Sequence, residues 1–454
     1  MFCCFSLIKI VNNQILNFPL KTLVMILRQL KNSTMNEKSY FKKVTKIGVI
    51  ADIQYCDEED GSSFDRSEIR RYREALNVTR RAAKTFEKFE IGAVLQLGDA
   101  FDGKSKGNFK RDFCERICPV LEIPLTKTND ETGTLRPSVA PRMDVMGNHE
   151  LYCASREQLS SILRDYDKEK DLLSYSKVIA NGRWRLITLD SYGVSLMGHD
   201  NNADGSTRLK EAKSILSKNN PNILQQGDKV NWFEGLPLEK YRYVPYNGAI
   251  GKEQIEWFQQ ELKESWDQKQ YVVVFSHIPM SGQTKHPKTL HWDMEDVLKL
   301  IKENGSHVVA CIGGHRHSFD YRFSDEFETK CHHLDLPSPL VEEVGGEAHA
   351  VIEFSVRNIP VLESKPKESA VITEARSSSS QCSTLEAADH DLPLLSDPPK
   401  SCPDEELVYH DGKVFKNDKN VKCAAENEVA ILTVHGFGQM PNLMILPKEK
   451  PSKW

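Results

Sequence analysis

Ile47-Gly48-Val49-Ile50-Ala51-Asp52-Ile53-Gln54 is the stretch on which the reading of this chain turns. A run of small and β-branched apolar residues fits a strand buried on both faces, and Asp52 stands where that strand should end. Open α/β sheets place their chemistry in the crevice outside the carboxyl ends of parallel strands. Asp52 and Gln54, two residues apart, can both reach one metal ion or polar ligand there. The pattern then recurs. Residues 93–97 form an apolar run that ends in Gly98, Asp99, Ala100, Phe101, Asp102 and Gly103. After Pro141, residues 142–145 run into Met146, Gly147, Asn148, His149 and Glu150. Residues 271–275 end in Ser276, His277, Ile278 and Pro279, and residues 307–312 close in Gly313, Gly314, His315, Arg316 and His317.

Between these stretches the periodicity changes. Ile69, Tyr72, Leu76, Thr79, Ala83 and Phe86 recur at helical spacing, with Arg and Lys on the opposite face. A second amphipathic helix opens at Gly251 through Ile255, Phe258, Leu262 and Trp266, and a third surrounds Val297, Leu298 and Ile301. Residues 184–190 read as a strand with no polar cluster after it, hence a structural one. Residues 193–248 read as loop-rich, with an aromatic patch of Trp232, Phe233, Tyr241, Tyr243 and Tyr246. Strands alternating with helices give an α/β protein.

At 454 residues the chain is long for one compact domain. Residues 1–44 read as an amino-terminal extension, 45–360 as the catalytic domain, 365–427 as a disordered insertion and 428–446 as a strand that returns to pair with residues 350–354. The insertion is marked by Ser377 to Ser380, Pro398-Pro399 and few aromatics. A hydrophobic fraction of 39% and a charged fraction of 28% fit a soluble globular protein. The net charge of -5 argues against a nucleic-acid binder, and no apolar span is long enough for a membrane partner. A monomer is expected. Eleven cysteines without a C-x-x-C pair suggest neither a disulfide framework nor a thiolate zinc site, and Cys114 and Cys118 read as packing residues. A cytoplasmic location is the simplest. Residues 1–34 carry Lys9, Lys21, Arg28 and Lys31 but no acid, a bias that also fits mitochondrial targeting, while Met25 and Met35 offer alternative starts.

The strand-end residues Asp52, Gln54, Asp99, Asn148, His277, His315 and His317 together are a ligand set for two metal ions. With one carboxylate shared, seven residues offer four protein ligands to each ion. The donors are hard to intermediate and include no thiolate, suiting Mn²⁺, Mg²⁺ or Zn²⁺ over copper or iron–sulfur chemistry. Two such ions roughly 3.5–4 Å apart activate water and polarise a phosphoryl group, so phosphoester hydrolysis is the natural reaction.

Asp52-x-Gln54, Gly98-Asp99-x-x-Asp102, Gly147-Asn148-His149-Glu150, His277 and Gly314-His315-x-His317 resemble the five ordered motifs of the calcineurin-like metallophosphoesterases. The resemblance implies a four-layer αββα sandwich, two mixed β-sheets packed together between helices. It implies that Asp52, Gln54, Asp99 and His317 hold one ion and Asp99, Asn148, His277 and His315 the other. Catalytic His149 would donate a proton to the departing oxygen or steady the charge on phosphorus, with Asp102 orienting it or a metal-bound water and Glu150 capping the turn. Gln54 stands where most branches carry histidine, and with Tyr246-Asn247-Gly248 and Gly436-Phe437-Gly438-Gln439-Met440-Pro441 it brings the chain nearest to the manganese-dependent ADP-ribose/CDP-alcohol diphosphatases. That resemblance implies small nucleotide substrates: ADP-ribose, CDP-choline, CDP-ethanolamine and CDP-glycerol, cut to a nucleoside monophosphate and a phosphorylated ribose or alcohol. The insertion and Arg316 depart from the pattern. A phosphoprotein phosphatase or another phosphodiesterase is the enzymatic alternative, disfavoured by Gly103 and Met146 where the former carries arginines; a non-catalytic metal-binding scaffold is the other.

Overall fold

The structure, a computed structural model, describes residues 41–63, 66–122, 124–129, 135–139, 141–199, 206–224, 231–281, 287–323, 328–358, 407–410, 413–416 and 428–445. The strands that build it are β1 (Phe41–Ile50), β2 (Ala93–Gln96), β3 (Arg142–Asp144), β4 (Tyr175–Ile179), β5 (Trp184–Leu189), β6 (Tyr271–Ser276) and β7 (Val308–Gly313). They are followed by β8 (Asp320–Phe323), β9 (His332–Asp335), β10 (Ala348–Asn358), β11 (Leu407–His410), β12 (Lys413–Lys416), β13 (Glu428–Gly438) and β14 (Leu443–Ile445). The principal helices are α1 (Tyr72–Lys88), α2 (Asn148–Cys153), α3 (Thr207–Asn219), α4 (Lys252–Asp267) and α5 (Met294–Asn304).

The opening apolar run lies in β1, where Ile47 and Val49 face one core and Ile50 faces another. This double coverage explains why the run shows no polar alternation. β1, β2 and β3 are parallel neighbours, and β10 runs antiparallel on the far side of β1. The whole first sheet has the order β12-β11-β14-β13-β10-β1-β2-β3, and the second β8-β9-β7-β6-β5-β4. Both are mixed. In the second, β5, β6, β7 and β9 are parallel.

Three apolar layers separate four layers of structure. Ile47, Val49, Leu95, Leu97 and Met143 of the first sheet meet Trp184, Leu186, Val273, Phe275 and Ile312 of the second. On the outer side of the first sheet, Ala75, Leu76, Ala82 and Phe86 of α1 cover Ile50, Val94 and Val351. On the outer side of the second, Phe258 and Leu262 of α4 and Leu298 and Ile301 of α5 cover Ile187, Val272 and Val274. Each fully buried Leu or Phe contributes about 1.5–3 kcal/mol by leaving water. The expected αββα sandwich is the architecture found, and it sets the carboxyl ends of β1, β2, β3, β6 and β7 around one crevice.

Several local expectations change. Ile69 is not part of α1: it lies in a two-residue strand, Ile69–Arg70, paired with Gly61–Ser62, and is 57% exposed, so its helical spacing was coincidental. The stretch at 193–248 contains α3, whose apolar stripe is thin because only Ala212 and Leu216 are buried in it. Cys118 is buried but Cys114 is exposed, so only the former packs. Within the insertion, β11 and β12 extend the first sheet beyond β14. The rest of 365–427 and the basic leader at 1–34 lie outside the described residues. β13 pairs with β10 from Ala348↔Gly438 to Asn358↔Glu428, as an inner strand and not an edge. Among the described residues no helix is long and apolar enough to cross a membrane.

Candidate metal centre

Three of the five strand ends, those of β1, β2 and β7, deliver their ligands through a bent backbone. Asp52, Gln54, Asp99, His315 and His317 have φ of 51°, 44°, 56°, 67° and 60°, the left-handed region that costs a non-glycine residue about 1–3 kcal/mol. Surrounding hydrogen bonds hold these residues there. The Asp52 and Gln54 N–H groups donate to the carbonyls of Gly98 and Asp99 at 3.1 and 2.8 Å, the Gly314 N–H to that of His277 at 2.9 Å, and the Ser338 hydroxyl to that of Asp52 at 2.7 Å. Two glycines make room for the ligands. A Cβ on Gly98, itself at φ 94°, would lie 2.5 Å from His277 Nδ1, and one on Gly314 would lie 2.4 Å from Asp52 Oδ2.

All seven predicted ligands converge. Asp99 Oδ2 is central, 3.2 Å from Gln54 Nε2 and 3.4 Å from His277 Nε2, while Asp99 Oδ1 accepts the His149 N–H at 2.8 Å. His277 Nε2 lies 3.2 Å from Asn148 Oδ1 and 3.1 Å from His315 Nδ1. His317 Nε2 lies 2.9 Å from Gln54 Nε2 and 3.6 Å from Asp52 Oδ1. Asp52 Oδ2 is occupied by the His315 N–H at 2.8 Å, which leaves Oδ1 facing the cluster.

The tautomers follow from partners on the outer ring nitrogens. His277 Nδ1–H donates to the Leu97 carbonyl at 2.8 Å. His315 Nε2–H donates to Asn247 Oδ1 at 3.0 Å, and the Asn247 amide is oriented because its Nδ2 donates to the carbonyls of Arg242 and Lys288. His317 Nδ1–H donates to Glu68 Oε2 at 3.0 Å. Every inner nitrogen therefore presents a lone pair to the centre, an arrangement typical of metal-binding histidines.

A scan of this chain against family models matches calcineurin-like phosphoesterase over residues 45–319, the segment that carries all five strand ends. The chain belongs to that family. Among its relatives is a manganese-dependent ADP-ribose/CDP-alcohol diphosphatase of Arabidopsis thaliana, 30% identical over 64% of this chain and 85% of the relative. Another with the same name, from Mus musculus, is 31% identical over 67% of this chain and 86% of its own. A solved dimetal phosphatase from Danio rerio superposes with a TM-score of 0.56 at 25% identity, covering 69% of this chain and 94% of its own. This phosphoesterase is a hydrolase whose cofactors are two divalent metal ions.

The residues fit such ions. His277 Nε2 and His315 Nδ1 face one another at 3.1 Å with their outer nitrogens already committed as donors, so a cation can take the place of the single proton that the two inner nitrogens otherwise share. Asp52 Oδ1 and Gln54 Oε1 are buried without a hydrogen-bond partner, and a half-turn of the Gln54 amide brings its oxygen into the cluster. The cluster also attracts positive charge: burial works against a charged His277, yet Asp99 overrides it and holds the ring up at about 9. Burial pushes the Asp52 carboxyl up against the pull of His277 and His317.

Around the ligands sit the groups that steady them. Glu150 does more than cap a turn: its carboxylate accepts from the N–H groups of Asp99, Ala100 and Gly147, joining the β2 and β3 ends. Burial and the nearby Asp99 charge push it up to about 7, against those donors. His149 Nδ1 lies 2.9 Å from the Gly103 N–H and 3.1 Å from Asp102 Oδ2. These are alternatives: the first serves a ring with Nδ1 bare, the second one with Nδ1 protonated. The Gly103 N–H meets Nδ1 in the neutral ring; burial opposes charge on His149, but Asp99 and Asp102 raise its pKa, and once protonated the ring turns the same nitrogen's proton to Asp102. His149 Nε2 points inward, 4.0 Å from Asp99 Oδ2.

One expectation is corrected here. The β5 end does carry a polar cluster: Ser191 Oγ accepts from the Ile278 N–H at 3.0 Å, and the Tyr192 hydroxyl donates to Asn148 Oδ1 at 3.2 Å. Arg316 turns away from the centre to bind Asp335 and Asp320, so it is a salt-bridge residue. Glu68, Asn247 and Arg70 were not anticipated as site residues. Arg70 Nη1 lies 3.9 Å from Asp102 Oδ2 on the partly open side of His149. Glu68 and Arg70 flank Ile69, which helical spacing had claimed, and Asn247 gave a signal only inside its Tyr-Asn-Gly triplet.

Proposed function

We propose that this phosphoesterase hydrolyses the diphosphate bond of ADP-ribose and of CDP-alcohols such as CDP-choline, CDP-ethanolamine and CDP-glycerol, with Mn²⁺ as its metal. The observation that carries this reading is Gln54. An amide in place of an imidazole, between Asp52 and Asp99 and against His317, makes one half of the centre oxygen-rich, which suits Mn²⁺ or Mg²⁺. Relatives named for that metal and those substrates cover most of their own length.

Asp52, Gln54, Asp99 and His317 would hold one ion, and Asp99, Asn148, His277 and His315 the other. When bound, the ions activate water and offset charge on the phosphoryl group. Water oxygen joins one phosphorus as the bridging oxygen leaves with the other phosphate. His149, its Nδ1–H on Asp102, hands the Nε2 proton to that departing oxygen. Arg70 stands beside His149 to meet the leaving phosphate, a role that a monoester substrate would not use.

The purified chain with Mn²⁺ should turn over ADP-ribose and CDP-choline in preference to a phosphopeptide; turnover of the phosphopeptide alone would overturn the reading and favour a protein phosphatase. Gln54→His should preserve the fold, checked by circular dichroism, and shift the preferred metal from Mn²⁺ toward Zn²⁺.

A further inference from the structure

Among the described residues, two groups of three metal-ligating side chains place their donor atoms within 4.8 Å of one another. One is Asp99, His277 and His315 in the centre above. The other is Cys311, Cys331 and His333, all buried. We propose that Cys311, Cys331 and His333 form a separate site for a thiophilic divalent cation, Zn²⁺, that clamps β7 to β9.

The argument starts from strand geometry. β7 and β9 are parallel neighbours with Cys311 in register with His333. Side chains alternate along a strand, so Cys331, two residues before His333, is placed toward the same face. Leu334 and Ile312 face the apolar layer between the sheets, so the cluster faces the other way, beneath the helical layer, where Cys311 and Cys331 pack with Met294, Leu300 and Ile301. Its shielding from water suits a structural ion.

The donor spacing fits as well. Cys331 Sγ and His333 Nε2 lie 3.4 Å apart. Tetrahedral zinc with Zn–S of about 2.3 Å and Zn–N of about 2.0–2.1 Å needs sulfur–nitrogen separations of roughly 3.5 Å and sulfur–sulfur separations of roughly 3.8 Å. The Thr329 hydroxyl, 3.3 Å from Cys331 Sγ, supports the sulfur from outside the triad. A hydrogen bond from Cys311 lowers the Cys331 thiol well below its ordinary range; burial opposes this, and His333 adds to it. Two thiolates and an imidazole select zinc, whereas the catalytic centre has no sulfur, so the two sites sort different metals.

The position gives the site a purpose. Cys311 and Cys331 stand at the two ends of the excursion that carries His315 and His317 and then β8. A cation there pins both ends of the segment that brings two ligands to the catalytic centre. The chain lacks the C-x-x-C spacing by which such sites are usually read, because these ligands meet only through strand pairing.

The full chain, reduced and freed of metal by a chelator, is saturated with Mn²⁺ and then titrated with Co²⁺. The expected result is one further equivalent of cobalt with a thiolate-to-cobalt charge-transfer band and the intense visible band of a tetrahedral ion. Zn²⁺ should bleach both bands. Cys331→Ser and Cys311→Ser should each cut the charge-transfer band to half or less while the protein still binds two Mn²⁺, and the double variant should lose it. No such band in the reduced wild-type protein overturns the site without recourse to any variant. A band of undiminished intensity in both serine variants, by placing the thiolate elsewhere, overturns it too.

Discussion

The first sheet brings oxygen donors to the catalytic centre, Asp52, Gln54, Asp99 and Asn148, and the second brings only imidazoles, His277, His315 and His317. The two sets are also steadied in opposite ways. Carboxylates of the first sheet are held by N–H donors, with His149 on Asp99 and His315 on Asp52, and Glu150 ties the Asp99 loop to that of Asn148. Histidines of the second are held by acceptors on their outer nitrogens, Leu97, Asn247 and Glu68. The supports cross between sheets: the Leu97 carbonyl belongs to the first and serves His277, while the His315 N–H belongs to the second and serves Asp52. Neither sheet owns a site. The oxygen side sets the charge that retains cations, and the imidazole side depends on orientation, so damage to the two should differ in size.

The largest effect is expected at Asp99, whose Oδ2 lies between donors of both sheets. Asp99→Asn keeps the shape and removes the charge. Calorimetric titration should find fewer than two Mn²⁺ bound, and turnover should fall by more than the roughly 10²–10⁴-fold expected for loss of a proton donor. Two Mn²⁺ bound with ordinary affinity would break the comparison, because charge on the first sheet would then not govern retention.

His149→Ala should come next. It removes the proton donor and no metal ligand, so kcat should drop by roughly 10²–10⁴-fold with Mn²⁺ stoichiometry unchanged. The loss should be smallest for substrates with the best leaving groups, which need no proton.

The difference between the sheets was partly visible before any coordinates. Every ligand type could be read from strands that end in Asp, Asn or His, because the run from a buried strand into a polar turn is a local signal. The four layers were legible through family resemblance; strand pairing order is not a local property. The supports were hidden for the same reason. Glu68 lies 249 residues from the histidine it orients, and Asn247 lies 68 from its own. α3 was missed because it buries so little, and Ile69 was misplaced because three residues of helical spacing also fit a short exposed strand.

Removing the outer supports tests the imidazole side. Glu68→Ala and Asn247→Ala should each weaken metal binding or activity by about 10–100-fold, since they loosen ring orientation and leave the ligand in place. Asn247→Ala should be the more damaging to structure, because the buried amide also donates to two backbone carbonyls, whereas the Glu68 side chain is partly exposed. If both variants bind Mn²⁺ as the parent does, the histidines are positioned by packing alone.

The smallest effect concerns a histidine of the first sheet that holds no ligand. His349 stacks on Phe437 at 4.4 Å and meets the edge of Phe86 at 5.4 Å, and neither ring nitrogen has a hydrogen-bond partner among the described residues. Burial holds its pKa down at about 3, against an ordinary value of 6.5. The unfolded chain takes up this proton as pH falls through 6.5, and the folded protein does not until about 3, so in that window the unfolded state binds more protons. His349 thus leaves stability untouched above the upper limit and erodes it on acidification, by at most about 1.4 kcal/mol per pH unit. His349→Phe keeps the stack and abolishes the titration. Compared as metal-free proteins, so that ion release does not contribute, parent and variant should have similar urea midpoints at neutral pH, and the variant should lose less of its midpoint as pH is lowered through the window. Equal losses would mean that the ring already finds a partner for its proton in the fold, and the contrast with the fully partnered histidines of the second sheet would disappear.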